Sequence, residues 1–194
     1  YVNEPGLADI VAENVNRYLF FTTDITDVVE ETDVFFLCIN TPPNRDGSTD
    51  MSYYLDAIHH LGGLLAQRRN KQRVVLVNKS TVPIGTARLL QSVMEEHGVE
   101  NFGVASNPEF LAQGNAVEGS RRPDRIVIGA DTLEDMQILR RLYSQFVNHV
   151  RIRYLETTPE TAEAIKYMSN TLLLTYISFW NGVGARLAEA MPNI

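Results

Sequence analysis

The stretch RVVLVNKSTVPIGT, residues 73–86, contains an apolar run of strand length that ends abruptly in polar residues. Residues 74–77 are all valine or leucine, and residues 78–81 then supply an amide, an amine and two hydroxyls. Pro83 stops the chain from continuing as a central strand. Short apolar runs bounded by turn residues are typical of buried strands. We therefore predict a buried strand over 73–78 whose carboxyl end presents polar groups.

Helical and strand patterns alternate along the rest of the chain. We predict strands at 19–23, 33–39, 73–78, 102–106, 125–130 and 150–155, and helices at 5–16, 51–69, 84–97, 133–146 and from Thr158 onward. This alternation predicts an α/β, Rossmann-like fold with a largely parallel sheet, flanking helices and a long C-terminal α-helix. The run DVFFLCI at 33–39 is apolar almost throughout, which predicts a strand covered on both faces.

Composition limits the classes of partner. The chain has 194 residues and a net charge of −7, so it has no general attraction for nucleic acid or for an anionic membrane surface. Its single cysteine, Cys38, excludes an intrachain disulfide and a cysteine cluster for zinc, and it fits a reducing compartment such as the cytoplasm. We predict no metal site, and we expect Cys38 to be a buried structural thiol within its strand.

The last segment predicts one unusually long helix. Thr158 is suited to cap it and Pro159 to occupy its first position, and there is no clear stop before Pro192. A helix of roughly 33 residues would extend about 50 Å. Because its far half is largely apolar, we expect it to pack on another domain or subunit, as in a homodimer. The predicted division is a domain at 1–156 and a helical domain at 157–194.

Polar clusters follow three of the predicted strands: INTPP at 39–43, NKSTVPIGT at 78–86 and SNPEFLAQG at 106–114. Ligands of open α/β sheets bind beyond the carboxyl ends of the strands. Any one cluster could be a turn that needs capping residues. Together, on neighbouring strands, the three would build one binding edge.

Lys166 and Asn170 lie four residues apart in the long helix and so share a face, within otherwise apolar sequence. A lysine there could extend to solvent. If it faces the polar edge instead, it would be a fixed cation beside an amide, suited to stabilising a developing oxyanion. Glu109 is the acidic residue of the NPEFLAQG stretch and could transfer a proton.

These segments together resemble a known family. NEPGL, INTPPNRDGSTDMSYY, NKSTVPIGT, SNPEFLAQG, RPDRIVIG and AEAIKYMSNTLLLTYISFWN occur in the order and spacing found in the UDP-glucose/GDP-mannose dehydrogenase family. The resemblance covers nearly the whole chain. It implies a partial NAD-binding Rossmann domain that lacks the opening glycine-rich βα unit, followed by the start of the central helical domain.

The resemblance also implies roles for individual residues. Enzymes of this family oxidise the C6 alcohol of a nucleotide sugar to a carboxylate with two NAD, and the expected substrate is UDP-glucose, giving UDP-glucuronate. The residues that match cofactor contacts are Asn40, Thr41, Ser80 and Gln113. Thr81 matches a hydroxyl that positions water, and Glu109 matches a carboxylate that assists hydrolysis of a thioester intermediate. The residues that match the substrate site are Glu109, Phe110, Leu111, Lys166 and Asn170.

The chain also departs from the family pattern. Gln113 stands where the family usually has glutamate, and nothing corresponds to the family's glycine-rich cysteine motif, FGGSCFPKD-like. We therefore expect the chain alone to be inactive. Alternative functions are dehydrogenation of GDP-mannose or a UDP-N-acetylhexosamine, a β-hydroxyacid dehydrogenase with an STxxP-like strand end, and a non-catalytic dimerising module.

Overall fold

The computed structural model describes residues 4–147 and 149–191. Five strands form one sheet in chain order: β1 (Val34–Leu37), β2 (Val74–Asn78), β3 (Phe102–Ser106), β4 (Arg125–Ala130) and β5 (Arg153–Thr157). The strands β1, β2 and β3 are parallel, β4 is antiparallel to β3, and β5 is parallel to β4. The predicted Rossmann-like, largely parallel α/β sheet is confirmed, with one reversal of strand direction.

Helices follow or precede each strand. They are α1 (Leu7–Asn14), α2 (Ser52–Gln67), α3 (Thr86–Glu96), α4 (Ala116–Arg121), α5 (Leu133–Leu142), α6 (Ser144–Val147), α7 (Pro159–Phe179) and α8 (Ala185–Ala190). A π-helical turn, Trp180–Gly184, joins α7 to α8, and a 3-10 turn occupies Ile25–Asp27. None of the helices in the described part of the chain is both long enough and apolar enough to cross a membrane.

The sheet is packed on both faces around β2, which is buried at every position. Tyr54 and Ile58 of α2 and Leu90 of α3 pack in the core on one face. Leu139 of α5 packs in the core on the other face, with Val75 and Val77 of β2. The strand predicted from the apolar run at 73–78 is therefore present and buried.

The long helix begins as predicted. Thr158 accepts a hydrogen bond from the Thr161 N–H at 3.3 Å, and Pro159 occupies the first turn. The first turns of α7 pack on β3, β4 and α3, so this part of the helix contacts the sheet directly. The predicted stop at Pro192 lies outside the described residues, and the domain boundary between 156 and 157 stays a prediction.

Two predictions near the start of the sheet are wrong. Residues 19–23 do not form a strand: the chain turns at Asn16, which has a φ of 61°, and Phe20 and Phe21 are exposed. The strand β1, at an edge of the described sheet, is buried on one face only, at Phe35 and Leu37. Phe36 is 38% exposed, and Cys38 is exposed rather than buried.

Gly129 allows the closest approach between β4 and the start of α7. A Cβ atom at this position would lie 2.4 Å from the Thr158 carbonyl oxygen and 2.7 Å from the Pro159 Cα. We predict that Gly129→Ala lowers the free energy of unfolding by about 1–3 kcal/mol, because neither backbone atom can move without shifting α7. Urea unfolding of the purified protein measures this change.

Gly63 provides the matched control. It lies inside α2, and a Cβ atom there would meet nothing within 4 Å. Gly63→Ala should raise the free energy of unfolding by about 0.5–1 kcal/mol, because alanine favours the helix. Equal stability of Gly129→Ala and the wild-type protein would contradict the close contact between β4 and α7.

Candidate active site

The carboxyl ends of β1, β2 and β3 lie side by side at one edge of the sheet, because these strands are parallel. The Lys79 and Ser80 N–H groups both donate to the Leu37 carbonyl at 3.0 Å. The Asn107 N–H donates to the Asn78 carbonyl at 2.8 Å. The three polar clusters therefore form one edge, as predicted. We call it the rim, and it comprises residues 39–43, 78–86 and 106–114.

Hydroxyl groups connect the first two turns of the rim. The Ser80 hydroxyl lies 2.7 Å from the Ile39 carbonyl oxygen and donates to it. Thr41 Oγ1 donates to the Thr81 carbonyl at 2.9 Å. Both of these predicted cofactor contacts thus also hold the two turns together. The Thr81 hydroxyl, by contrast, makes no hydrogen bond to another described residue, and Thr81 is half-buried.

Lys166 reaches the rim from α7. It is 7% exposed, and its Nζ donates to the Glu109 carbonyl oxygen at 2.6 Å and to Glu109 Oε1 at 2.8 Å. The alternative that this lysine extends to solvent is therefore wrong. The predicted cation and the predicted carboxylate form a direct ion pair at the end of β3.

Glu109 is held from both sides. Its Oε2 accepts the Leu111 N–H at 2.6 Å, opposite the bond from Lys166. Burial raises the pKa of Glu109, but the Lys166 ammonium and the Leu111 N–H together outweigh burial and bring that pKa below its ordinary value of 4.5. Glu109 is consequently ionised at neutral pH and can accept a proton.

Phe110 lies between two cations. The Arg125 guanidinium carbon lies 4.3 Å from the centroid of its ring, and Lys166 Nζ lies 5.4 Å from the same centroid. Such distances allow cation–π attraction. Phe110 is thus fixed between β4 and α7, and it holds the backbone of the predicted substrate-binding stretch in place.

Three other predicted site residues lie further from these contacts. Asn40, Gln113 and Asn170 are exposed, and their side chains make no hydrogen bonds to the described residues. Asn170 lies one turn beyond Lys166 on α7, so the helix places only the lysine of this pair in the ion pair at the rim. Leu111 contributes its N–H to Glu109, while its side chain is largely exposed.

Sequence reasoning missed Glu163. Its carboxylate accepts the Gly85 N–H at 2.7 Å, the Ala87 N–H at 2.9 Å and the Ser106 hydroxyl at 3.1 Å. Glu163 is 3% exposed, and this burial raises its pKa above the ordinary value despite the three donors. An acidic residue three positions before Lys166, on the same helical face, was the available signal.

Sequence reasoning also missed the side chain of Lys79. Its Nζ donates to Asn107 Oδ1 at 2.9 Å, and the Tyr143 hydroxyl donates to the same oxygen. Burial lowers the pKa of Lys79. A cavity of about 190 Å³ lies beside this network and Glu109. The signal was a basic residue immediately after a buried strand.

The rim therefore combines a buried ammonium, an ionised carboxylate and neutral hydroxyl and amide groups. Such a set can stabilise a negatively charged oxygen and accept a proton. Within residues 4–147 and 149–191, no cluster of three or more histidine, cysteine, aspartate or glutamate side chains is placed to hold a metal ion.

The ion pair at the rim predicts a specific pH dependence. Because the folded-state pKa of Glu109 lies below 4.5, its ionised form stabilises the fold above that pH, and this stabilisation is lost as the pH falls below it. We predict that the difference in Tm between the wild-type protein and Glu109→Gln is constant from pH 7 to 5 and shrinks below about pH 4.5. Calorimetry over this range measures it.

Lys166→Met supplies the control for this prediction. In that background the lysine contact is absent, so Glu109→Gln should change Tm much less and with less dependence on pH. A Tm difference that stays the same down to pH 3 would show that the carboxylate charge contributes nothing.

Comparison with curated proteins identifies relatives of similar sequence. The chain is 37% identical over 185 residues to UDP-glucose 6-dehydrogenase TuaD of Bacillus subtilis, covering 94% of the chain and 38% of that protein. It is 37% identical over 187 residues to a UDP-glucose 6-dehydrogenase of Pseudomonas aeruginosa, covering 93% of the chain and 40% of that protein. The chain thus spans about two fifths of the length of these relatives.

Solved structures share the fold. A UDP-glucose dehydrogenase from Pyrobaculum islandicum matches with a TM-score of 0.81 at 35% identity, over 95% of this chain and 42% of its own. A GDP-mannose dehydrogenase from Pseudomonas aeruginosa matches with a TM-score of 0.83 at 29% identity, over 93% of this chain and 41% of its own.

The family model for the NAD-binding domain of UDP-glucose/GDP-mannose dehydrogenases matches residues 1–147, which is most of the chain. The match includes β1 to β4 and all three segments of the rim. The predicted cofactor, NAD, is the cofactor of this domain. The chain therefore belongs to the UDP-glucose/GDP-mannose dehydrogenase family.

Proposed function

We propose that this chain is part of a cytoplasmic, NAD-dependent nucleotide-sugar 6-dehydrogenase that oxidises UDP-glucose to UDP-glucuronate. The observation that carries the proposal is the ion pair between buried Lys166 and half-buried Glu109, at the carboxyl ends of the parallel strands of an NAD-binding domain. Relatives at 37% identity are UDP-glucose 6-dehydrogenases, which supports this choice of substrate.

The turns after β1 and β2 fit the cofactor. When bound, NAD supplies the acceptor for hydride from the sugar C6. Asn40 is exposed and Thr41 and Thr81 are half-buried at this part of the rim, so neutral amide and hydroxyl groups are available to ribose hydroxyls and a carboxamide. Ser80 supports these turns through its bond to the Ile39 carbonyl. Gln113 provides a further neutral, exposed amide.

Lys166 is placed to bind the reacting oxygen. Its ammonium has three N–H groups. Within the described residues, two of them donate to the carbonyl oxygen and to Oε1 of Glu109. The remaining N–H can donate to the substrate oxygen and stabilise its negative charge as hydride leaves C6. Asn170, one turn further along α7, would add a donor from its amide.

The overall reaction requires water and a base. One primary alcohol, two NAD⁺ and one water give one carboxylate, two NADH and three protons. Thr81 offers a hydroxyl without another partner among the described residues, suited to orient the water. Glu109 is ionised at neutral pH and can take a proton from it. The backbone at Phe110 and Leu111 would hold the sugar beside these groups.

GDP-mannose is the second candidate substrate, because the GDP-mannose dehydrogenase of Pseudomonas aeruginosa matches with a TM-score of 0.83. A UDP-N-acetylhexosamine is a further candidate. The hydroxyacid alternative is less well supported, since the two relatives described above are named UDP-glucose 6-dehydrogenases. The non-catalytic alternative applies to the 194-residue chain by itself. We propose that this chain alone forms no NADH.

The substrate is tested with the full-length protein encoded by the natural gene. NADH formation is measured with UDP-glucose, GDP-mannose, UDP-N-acetylmannosamine and a 3-hydroxyacid. We predict two NADH per UDP-glucose consumed and little from the others. One NADH from the hydroxyacid, or none from any nucleotide sugar, would contradict the proposed function.

Lys166 is tested in the same assay. Lys166→Ala should lower kcat about 100-fold or more, because it removes a donor to the developing oxyanion. Lys71→Ala is the matched control, since Lys71 is an exposed lysine whose Nζ lies 3.8 Å from a Glu100 carboxylate oxygen. That variant should keep kcat within about twofold of wild type. A Lys166→Ala enzyme with wild-type kcat would show that Lys166 takes no part in the reaction.

We also propose that the protein is a homodimer through the far half of α7 and the π-helical turn. Large apolar side chains there are exposed: Leu172, Leu173, Leu174, Tyr176, Ile177, Phe179, Trp180 and Val183. Contiguous exposed apolar surface of this kind is typical of an interface. A second copy would cover it by packing its own helix against the same face.

Light scattering on the full-length protein tests the homodimer. We predict a mass of two chains for the wild type and of one chain for the double variant Leu173→Glu, Ile177→Glu, whose positions share a helical face. Leu133→Glu is the control, because Leu133 is 82% exposed and belongs to α5 rather than to α7. A monomeric wild-type protein would contradict the proposal.

A further inference from the structure

One carboxylate of α7 connects two segments of the rim and the start of α3. Glu163 belongs to α7, and its acceptor oxygens take the Gly85 N–H, the Ala87 N–H and the Ser106 hydroxyl at 2.7, 2.9 and 3.1 Å. Gly85 ends the turn after β2, Ala87 lies in the first turn of α3, and Ser106 ends β3. Glu163 thus joins the long helix to two strand ends.

The bonds use both oxygens of the carboxylate. Oε2 accepts from Gly85, and Oε1 accepts from Ala87 and Ser106. An ionised carboxylate only accepts hydrogen bonds, so all three donors are satisfied. A glutamine would turn an NH₂ group toward one of these donors. A carboxylate that accepts backbone N–H groups at the start of α3 is also favoured by the helix dipole.

The Gly85 contact fixes the turn that carries Thr81. Gly85 has a φ of 97°, in the left-handed region that favours glycine, so its N–H reaches Glu163 at little conformational cost. At its other end, the turn is held by Thr41, which donates to the Thr81 carbonyl. The segment between these two points is therefore held at both ends, one of them by α7.

The same carboxylate sets the position of Lys166. Glu163 and Lys166 lie three residues apart and share one face of α7. Both side chains are buried, and both bond to residues of the rim: Glu163 to Gly85 and Lys166 to Glu109. With Glu163 bonded to the β2–α3 turn, the helix is held at the rotation that directs Lys166 to Glu109.

We propose that Glu163 is a positioning residue for nucleotide-sugar oxidation, which places the Thr81 turn and Lys166 in register with each other. The inference rests on the proposed function. Glu163 touches neither the substrate nor the cofactor in this scheme; it acts through Gly85 and through the rotation of α7.

The test compares Glu163→Gln with wild type in the full-length protein. Hydrogen exchange, followed by mass spectrometry, is measured on a peptide covering residues 82–89. Steady-state kinetics with NAD and UDP-glucose are measured per folded molecule, with the folded fraction determined by circular dichroism. We expect faster exchange in the peptide and a fall in kcat of about tenfold or more, with KM values changed by less than about threefold.

Glu160→Gln is the matched control. Glu160 lies one turn earlier on α7 and also contacts α3, through an exposed ion pair with Arg88. This variant should leave both the exchange of residues 82–89 and kcat within about twofold of wild type. An equal loss of kcat in the two variants would overturn the inference, because any weakened contact between α7 and α3 would then suffice.

Ser106→Ala keeps the test decisive if Glu163→Gln fails to fold. It removes one of the three donors and leaves the carboxylate, so a smaller fall in kcat should accompany faster exchange. If Ser106→Ala leaves the exchange of residues 82–89 unchanged, or speeds it without lowering kcat, the inference is overturned. A wild-type protein that forms no NADH from any nucleotide sugar would overturn the proposed function as well.

Discussion

Two buried charges on one face of α7 determine how the helix meets the sheet. Glu163 and Lys166 are both almost completely buried. A buried ion without a partner costs several kcal/mol, so each must find its hydrogen bonds. Glu163 finds them on the turn after β2 and at the end of β3, and Lys166 finds them on Glu109. Rotating or sliding α7 would break both sets together, and for this reason the helix holds the polar groups of the rim in one arrangement.

The reversal of strand direction between β3 and β4 supports the other side of the rim. Because β4 is antiparallel to β3 and pairs with it only near the carboxyl ends, the segment after Ser106 runs alongside β4. Asn107 Nδ2 donates to the Val127 carbonyl at 2.9 Å, and Arg125 lies over Phe110. The stretch that carries Glu109 is therefore a supported extension of the sheet rather than a free loop, which keeps the carboxylate within reach of Lys166.

Local patterns predicted the features that depend on local sequence. The apolar run before Asn78 predicted β2, Thr158 and Pro159 predicted the start of α7, and Lys166 and Glu109 were both candidate site residues that the structure brings together. The failures depend on neighbours. Cys38 is exposed just beyond β1, a strand that is buried on one face only, and residues 19–23 pair with no strand of the described sheet. Glu163 was missed because its main partners are backbone N–H groups, which every residue but proline carries.

We propose that Lys166, held by α7 at the rim, binds the oxygen that is oxidised. A crystal structure of the full-length protein with NAD and UDP-glucose, trapped in an inactive variant that retains Lys166, tests it most directly. We predict that Lys166 Nζ lies about 3 Å from the C6 oxygen of the sugar while it keeps a contact with Glu109. A sugar bound with its C6 oxygen well beyond hydrogen-bond distance from Lys166, with the lysine bonded to Glu109 alone, would contradict this role of Lys166.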